Sequence, residues 1–64
     1  MPAVLVYDNT GVWWALHASG YKYRVTTQRQ ADVLAYIGLI HSNQPGNLSG
    51  YPEVFALFRD VSSV

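Results

Sequence analysis

Three features of this chain predict an α+β fold. Near the N-terminus, three short apolar or alternating stretches are separated by turn-forming residues. A helix-periodic segment follows behind a capping box, and a shorter one lies beyond a polar loop. The expected architecture is a three-stranded antiparallel β-meander, at about 3–7, 12–18 and 21–26, packed on an amphipathic helix at about 28–41, with a short C-terminal helix at about 52–60. The whole of 1–64 reads as a single β-β-β-α-α domain, since 64 residues make one domain and no more.

The first strand is the β-branched-rich run Ala3, Val4, Leu5, Val6, Tyr7. Asp8, Asn9, Thr10 and Gly11 then supply a turn through side-chain bonding and glycine's tolerance of positive φ. Val12 to Ala18 is an aromatic and aliphatic second strand, and Ser19-Gly20 signals a tight turn. The third strand alternates cleanly: Tyr21, Tyr23 and Val25 face one way, Lys22, Arg24 and Thr26 the other. Short turns make the three strands antiparallel neighbours.

Thr27, Gln28, Arg29, Gln30 has the S/T-x-x-E/Q form of a capping box. Val33, Leu34, Ile37 and Ile40 follow at helical spacing, with Tyr36 at the margin. That stripe is expected to cover the Tyr21/Tyr23/Val25 face of the sheet, and His41 is expected to end the helix, where the dipole favours a cation. His41 to Gly50 holds one apolar residue, Leu48, and reads as a loop. Pro52 suits a first helical turn, and Val54, Leu57, Phe58 and Val61 give the spacing of a short second helix. The chain is expected to fray from Val61 to Val64.

Composition narrows the function classes. There is no cysteine, which rules out disulfides, thiolate zinc sites and a thiol nucleophile. Half of the residues are hydrophobic and 12% are charged, so apolar side chains should remain at the surface, where such patches mark contact sites. The longest apolar run, Ala3 to Tyr7, is too short to span a membrane and lacks the basic flank of a signal peptide; cytoplasmic synthesis is the expectation.

Catalytic chemistry has little to draw on. Asp8 belongs to a turn, Asp32 and Glu53 to first helical turns, and Asp60 to the end of the second helix. His17 and His41 stand 24 positions apart with no cysteine between them and match no metal-ligand pattern. An enzyme would need a cleft that gathers one of these histidines with a carboxylate. No catalytic residue, metal or cofactor is expected.

The aromatic residues are the informative part. Trp13 and Trp14 are adjacent in a strand and therefore point to opposite faces. One enters the core beneath the first helix. The other lies on the second face, with Lys22 and Arg24, unless the Val54/Leu57/Phe58 helix folds over it. The expected function is a non-enzymatic interaction or assembly module that docks a protein partner or a copy of itself. Its surface would be drawn from Trp13, Trp14, His17, Lys22 and Arg24, with Phe55 and Phe58 of the second helix.

A nucleic-acid reading is the alternative, using Lys22, Arg24 and Arg29. The three-strand-plus-helix layout is similar to that of arm-type DNA-binding domains of phage integrases and of plant AP2 domains. Those families carry several basic residues on the groove-facing strands, whereas this chain has zero net charge.

One further likeness arises at Gly20, Tyr21, Lys22, Tyr23, Arg24, Val25, Thr26 and Thr27, with Ala31, Leu34, Gly38 and Leu39. This stretch resembles a strand, glycine turn, Tyr/Arg-rich strand and capped-helix unit of small accessory, tail and endolysin proteins of actinobacteriophages. It covers about Val12 to Leu39, under half of the chain. The resemblance implies an accessory role such as virion assembly or attachment to a cell wall or surface, and it carries over no catalytic residue.

Overall fold

Asp8, Thr10 and Gly11 turn the chain between two strands, β1 (Val4–Tyr7) and β2 (Trp13–Leu16), and His17 to Gly20 turns it again into β3 (Tyr21–Val25). The computed structural model describes residues 1–62. All three strands pair antiparallel, with Val6 opposite Trp14 and Trp14 opposite Arg24, and with Leu5 opposite Ala15 and Ala15 opposite Tyr23. The α+β meander read from the sequence is therefore present. β2 ends two residues before Ala18, because the His17 and Gly20 N–H groups close the turn onto the Tyr21 and His17 carbonyls at 2.9 and 3.0 Å.

Helix α1 spans Gln28–Tyr36. Its capping box forms with one shift: Thr27 Oγ1 accepts from the Gln30 N–H at 3.1 Å, and Gln30 Oε1 reaches back to the Thr26 N–H at 2.9 Å. The helix stops five residues short of the expected His41. Gly38 takes φ +83, and the Gly38 and Leu39 N–H groups bond the Ala35 and Leu34 carbonyls at 3.1 and 2.9 Å. This is the Schellman arrangement, in which the positive-φ residue has almost no cost when it is glycine. Ile40 is buried as expected, but as a bridge partner of Ala3 beyond the helix.

Two short parallel edges complete a five-stranded mixed sheet of order β4-β1-β2-β3-β5, which the sequence reading did not anticipate. β4 (Gly46–Asn47) pairs with Val6 and Tyr7, and β5 (Arg59–Asp60) pairs with Tyr21 and Lys22. The chain thus leaves β3, crosses one sheet face as α1, runs alongside β1, crosses the other face and returns alongside β3. The second crossing is a 3-10 helix, Pro52–Leu57, rather than the α-helix expected to residue 60. Val61, where fraying is expected to begin, donates its N–H to the Lys22 carbonyl at 2.9 Å; the rest of that expectation, at 63–64, lies outside the described residues.

Each face of the sheet has its own core. Under α1 lie Ala3, Leu5, Ala15, Val25, Ala31 and Ile40, flanked by Trp13, Tyr23, Leu34 and Ala35. On the opposite face Val6, Leu16 and Phe55 are buried, flanked by Trp14, Leu48, Val54 and Phe58. A 64-residue domain has about 3–10 kcal/mol of stability in total. Removing a buried Phe ring typically costs about 3–5 kcal/mol, an amount of the same order. Phe55→Ala is therefore expected to lower the urea unfolding midpoint severely. Leu57→Ala, at a side chain 77% exposed on the same 3-10 helix, should change stability by less than about 0.5 kcal/mol. Equal effects of the two substitutions would contradict the assignment of Phe55 to a core.

Candidate interaction surface

The residues expected to form an open aromatic face are mostly engaged within the molecule. Trp13 lies half-buried on the α1 side, packed against the core of Leu5, Ala15, Val25 and Ala31. Trp14 points to the second face, as strand alternation requires, and there meets Phe55 at a ring separation of 6.4 Å with a tilt of 46°. Phe55 is 8% exposed and Phe58 is half-buried beside it. The second face is thus covered by the C-terminal segment, the outcome under which an exposed-tryptophan surface is lost.

Lys22 holds that cover in place. Its ammonium donates to the Phe55 and Phe58 carbonyls at 2.6 and 3.1 Å, where the 3-10 helix ends and the Phe55 carbonyl otherwise accepts only a long bond of 3.4 Å from the Phe58 N–H. The same ammonium stands 5.2 Å from the Trp14 ring centroid, within cation–π range. It is occupied by carbonyl acceptors and an aromatic face, and is not displayed to solvent as a phosphate-binding cation would be. Arg24 is exposed on this face of β3, and Arg29 is exposed in the first turn of α1, across the sheet. The three cations of the nucleic-acid reading are not gathered on one surface.

Asp8 fixes the other end of Trp14. One carboxylate oxygen accepts from the Thr10 N–H, the Thr10 hydroxyl and the Val12 N–H at 2.9, 2.6 and 3.1 Å, and the second accepts from the Trp14 indole N–H at 3.0 Å. Four donors favour the charged form. The Thr10 hydroxyl is the largest influence, with smaller ones from Trp14 and the two backbone groups, and together they lower the Asp8 pKa from 3.8 to about 2.

The histidines are separate from each other in role. His17 stacks on Tyr21 at 4.5 Å with an 8° interplanar angle, and its Nδ1 accepts from the Ser19 N–H at 3.1 Å. His41 does not cap α1. It follows the Ala3–Ile40 bridge, its N–H donates to the Ala3 carbonyl at 2.9 Å, and its Nδ1 accepts from the Leu5 N–H at 3.3 Å. The imidazole thus fills a gap in the β1 edge that no strand residue covers. Neither histidine bonds a carboxylate among the described residues. Asp32 is bound by the Asn43 and Gln28 side chains, Asp60 by Ser62, and both carboxyls are lowered by those hydrogen bonds. Among the described residues no three His, Cys, Asp or Glu side chains are grouped to hold a metal ion, and no helix is long and apolar enough to cross a membrane.

What remains open is a surface that the sequence reading turned inward. Ala31, Leu34 and Ala35 face the sheet, while Val33 and Ile37, expected in the core, are 48% and 58% exposed. Tyr36 is 92% exposed. Arg29, Val33, Tyr36 and Ile37 stand at i, i+4, i+7 and i+8, one line along the helix pole opposite the Ala31/Ala35 contact. Arg29 and Val33 also border a shallow cleft of about 350 Å3 shared with Tyr23, Gln30 and Leu34. The cause of the rotation is size complementarity. The sheet face already carries Trp13, Tyr23, Leu5 and Val25, so the helix presents small residues to it, and Ala31 is fully buried in the same cluster as Ala15. A signal was present in the sequence: α1 has two apolar stripes, and only Ala31, Leu34 and Ala35 match a sheet face filled with large side chains.

Comparison with known proteins finds no family model, no curated protein and no solved structure that matches the chain.

The Asp8 site makes a pH prediction. Its folded pKa lies below its ordinary one, so its contribution to stability is complete above 3.8 and is lost as pH falls toward about 2. Asp8→Asn does not titrate, and its amide nitrogen or its oxygen must face the indole N–H and the turn donors with one acceptor fewer. Urea midpoints taken at about pH 6 and about pH 2.5 should therefore show the variant less stable at the higher value and less affected by the change. An acid loss equal to that of the wild type would contradict the role given to Asp8.

Proposed function

We propose that this chain is a non-enzymatic interaction or assembly module whose contact surface is the outer pole of α1, formed by Arg29, Val33, Tyr36 and Ile37. The observation that carries the reading is Tyr36: an aromatic side chain 92% exposed, in line with half-exposed Val33 on the helix and Ile37 at its C-cap. Isolated exposed apolar residues are ordinary, but a contiguous line of them rimmed by charge marks a binding surface. Tyr and Arg are the side chains that most often dominate such contacts.

Other exposed apolar residues support the choice by contrast. Tyr51 caps and Leu57 ends a six-residue 3-10 helix whose buried residue is Phe55, and Met1 and Val4 lie at the start of the chain. The surface of α1 is the longest regular element with an outward apolar line. The nucleic-acid reading is disfavoured because Lys22 is held by the Phe55 and Phe58 carbonyls. The likeness of Val12 to Leu39 to actinobacteriophage accessory proteins makes assembly into a particle, or attachment to a surface, the natural setting of such a module.

A photo-activated benzophenone side chain tests the surface directly. Placed at Tyr36 in the expressing cell, it should give discrete adducts that an excess of the unlabelled chain competes away. Placed at Tyr51, which is 62% exposed, it should not. Absence of adducts at Tyr36, or equal labelling from both positions, would overturn the assignment.

A further inference from the structure

We infer that the partner of the α1 pole is a second copy of this chain, docked antiparallel about a two-fold axis that passes near Val33; this rests on the reading of α1 as the contact surface. The argument begins with the charges of the helix. α1 has no acidic residue in its first turn and no basic residue in its last, so it does not complement its own dipole. It places Arg29 in the first turn instead, at the end where a cation is disfavoured.

An antiparallel copy removes this conflict. With the two-fold at Val33, position 29 of one helix lies opposite position 37 of the other, and Val33 packs on its own symmetry mate. Each Arg29 then sits beside the partner's C-terminal turn, where a cation is favoured and where the chain supplies none of its own. The guanidinium also reaches the partner's Tyr36 ring, an aromatic face open to solvent in the single chain. A parallel pair would place Arg29 against Arg29 and lose both contacts. The net charge of zero leaves no long-range repulsion between copies.

Size sets the strength. A nine-residue helix is about 14 Å long and covers less than the roughly 800 Å2 per partner of a standard interface. The association is therefore weak and concentration-dependent, an arrangement suited to assembly at high local concentration.

The chain contains no cysteine, which makes single cysteine variants clean reporters. In sedimentation equilibrium, the wild type should approach twice its monomer mass as its concentration rises toward about 1 mM. Tyr36→Ala should weaken this association by about tenfold while leaving the thermal melt of dilute protein nearly unchanged, since the side chain makes almost no internal contact and alanine adds no charge to the last turn of the helix. Under mild oxidation Val33→Cys should form a disulfide-linked dimer. Arg29→Cys and Ile37→Cys should each fail to do so alone and should cross-link when mixed, because a disulfide needs Cα atoms within about 7 Å. Ready self-cross-linking of Arg29→Cys would overturn the antiparallel arrangement. A monomeric mass throughout, with no Val33→Cys dimer, would overturn the second copy as partner. In that case benzophenone adducts at Tyr36 with a different protein would leave the contact surface standing, and absence of adducts would remove both.

Discussion

Lys22 is the residue on which the closed, two-sided form of this domain depends. A three-stranded meander with one helix buries one face and leaves the other wet, and 64 residues have little else to cover it. The chain solves this with a six-residue 3-10 helix, an element too short to be stable alone. Phe55 provides its anchor in the apolar layer of Val6, Leu16 and Trp14. The Lys22 ammonium provides its terminus, through two carbonyls at the point where helical bonding stops. The same side chain lies over Trp14, which Asp8 orients from the opposite end. A single strand position thus links the second core to the turn between β1 and β2.

The consequence for the proposed function is a different candidate surface. A covered second face means that neither tryptophan is the exposed aromatic group. Large side chains on the first face, Trp13 and Tyr23 among them, oblige α1 to turn Ala31 and Ala35 toward the sheet. The bulkier Val33, Tyr36 and Ile37 then project outward. The apolar surplus evident in the composition is real, but it stands on the helix rather than on the sheet.

The parts legible in the sequence were those fixed by local chemistry. Alternation along Tyr21 to Val25, the turn residues Asp8 to Gly11 and the Thr27/Gln30 cap each act over a few residues, and each is found where expected. The helix end was misplaced because Gly38 in a Schellman turn competes with an apolar period that continues through Ile40. The two parallel edges were invisible because Gly46, Asn47, Arg59 and Asp60 carry no strand pattern; their pairing comes from where the crossings deliver the chain. The orientation of α1 was hidden for a third reason. Which of two stripes on α1 faces inward depends on the volume already occupied on the sheet, a tertiary quantity that periodicity does not contain. Lys22 illustrates the same limit, since its partners are the carbonyls of residues more than thirty positions away.

Side-chain footprinting by brief hydroxyl-radical oxidation, read by mass spectrometry, tests this account most directly, because it compares the covered sheet face with the helix pole in one experiment. In dilute monomer, Tyr36 should be oxidised rapidly, while Phe55 and Trp14 are protected well beyond their intrinsic reactivity. Oxidation of Trp14 and Phe55 at the rate of unfolded chain, with Tyr36 shielded, would contradict the two-sided core and the surface derived from it.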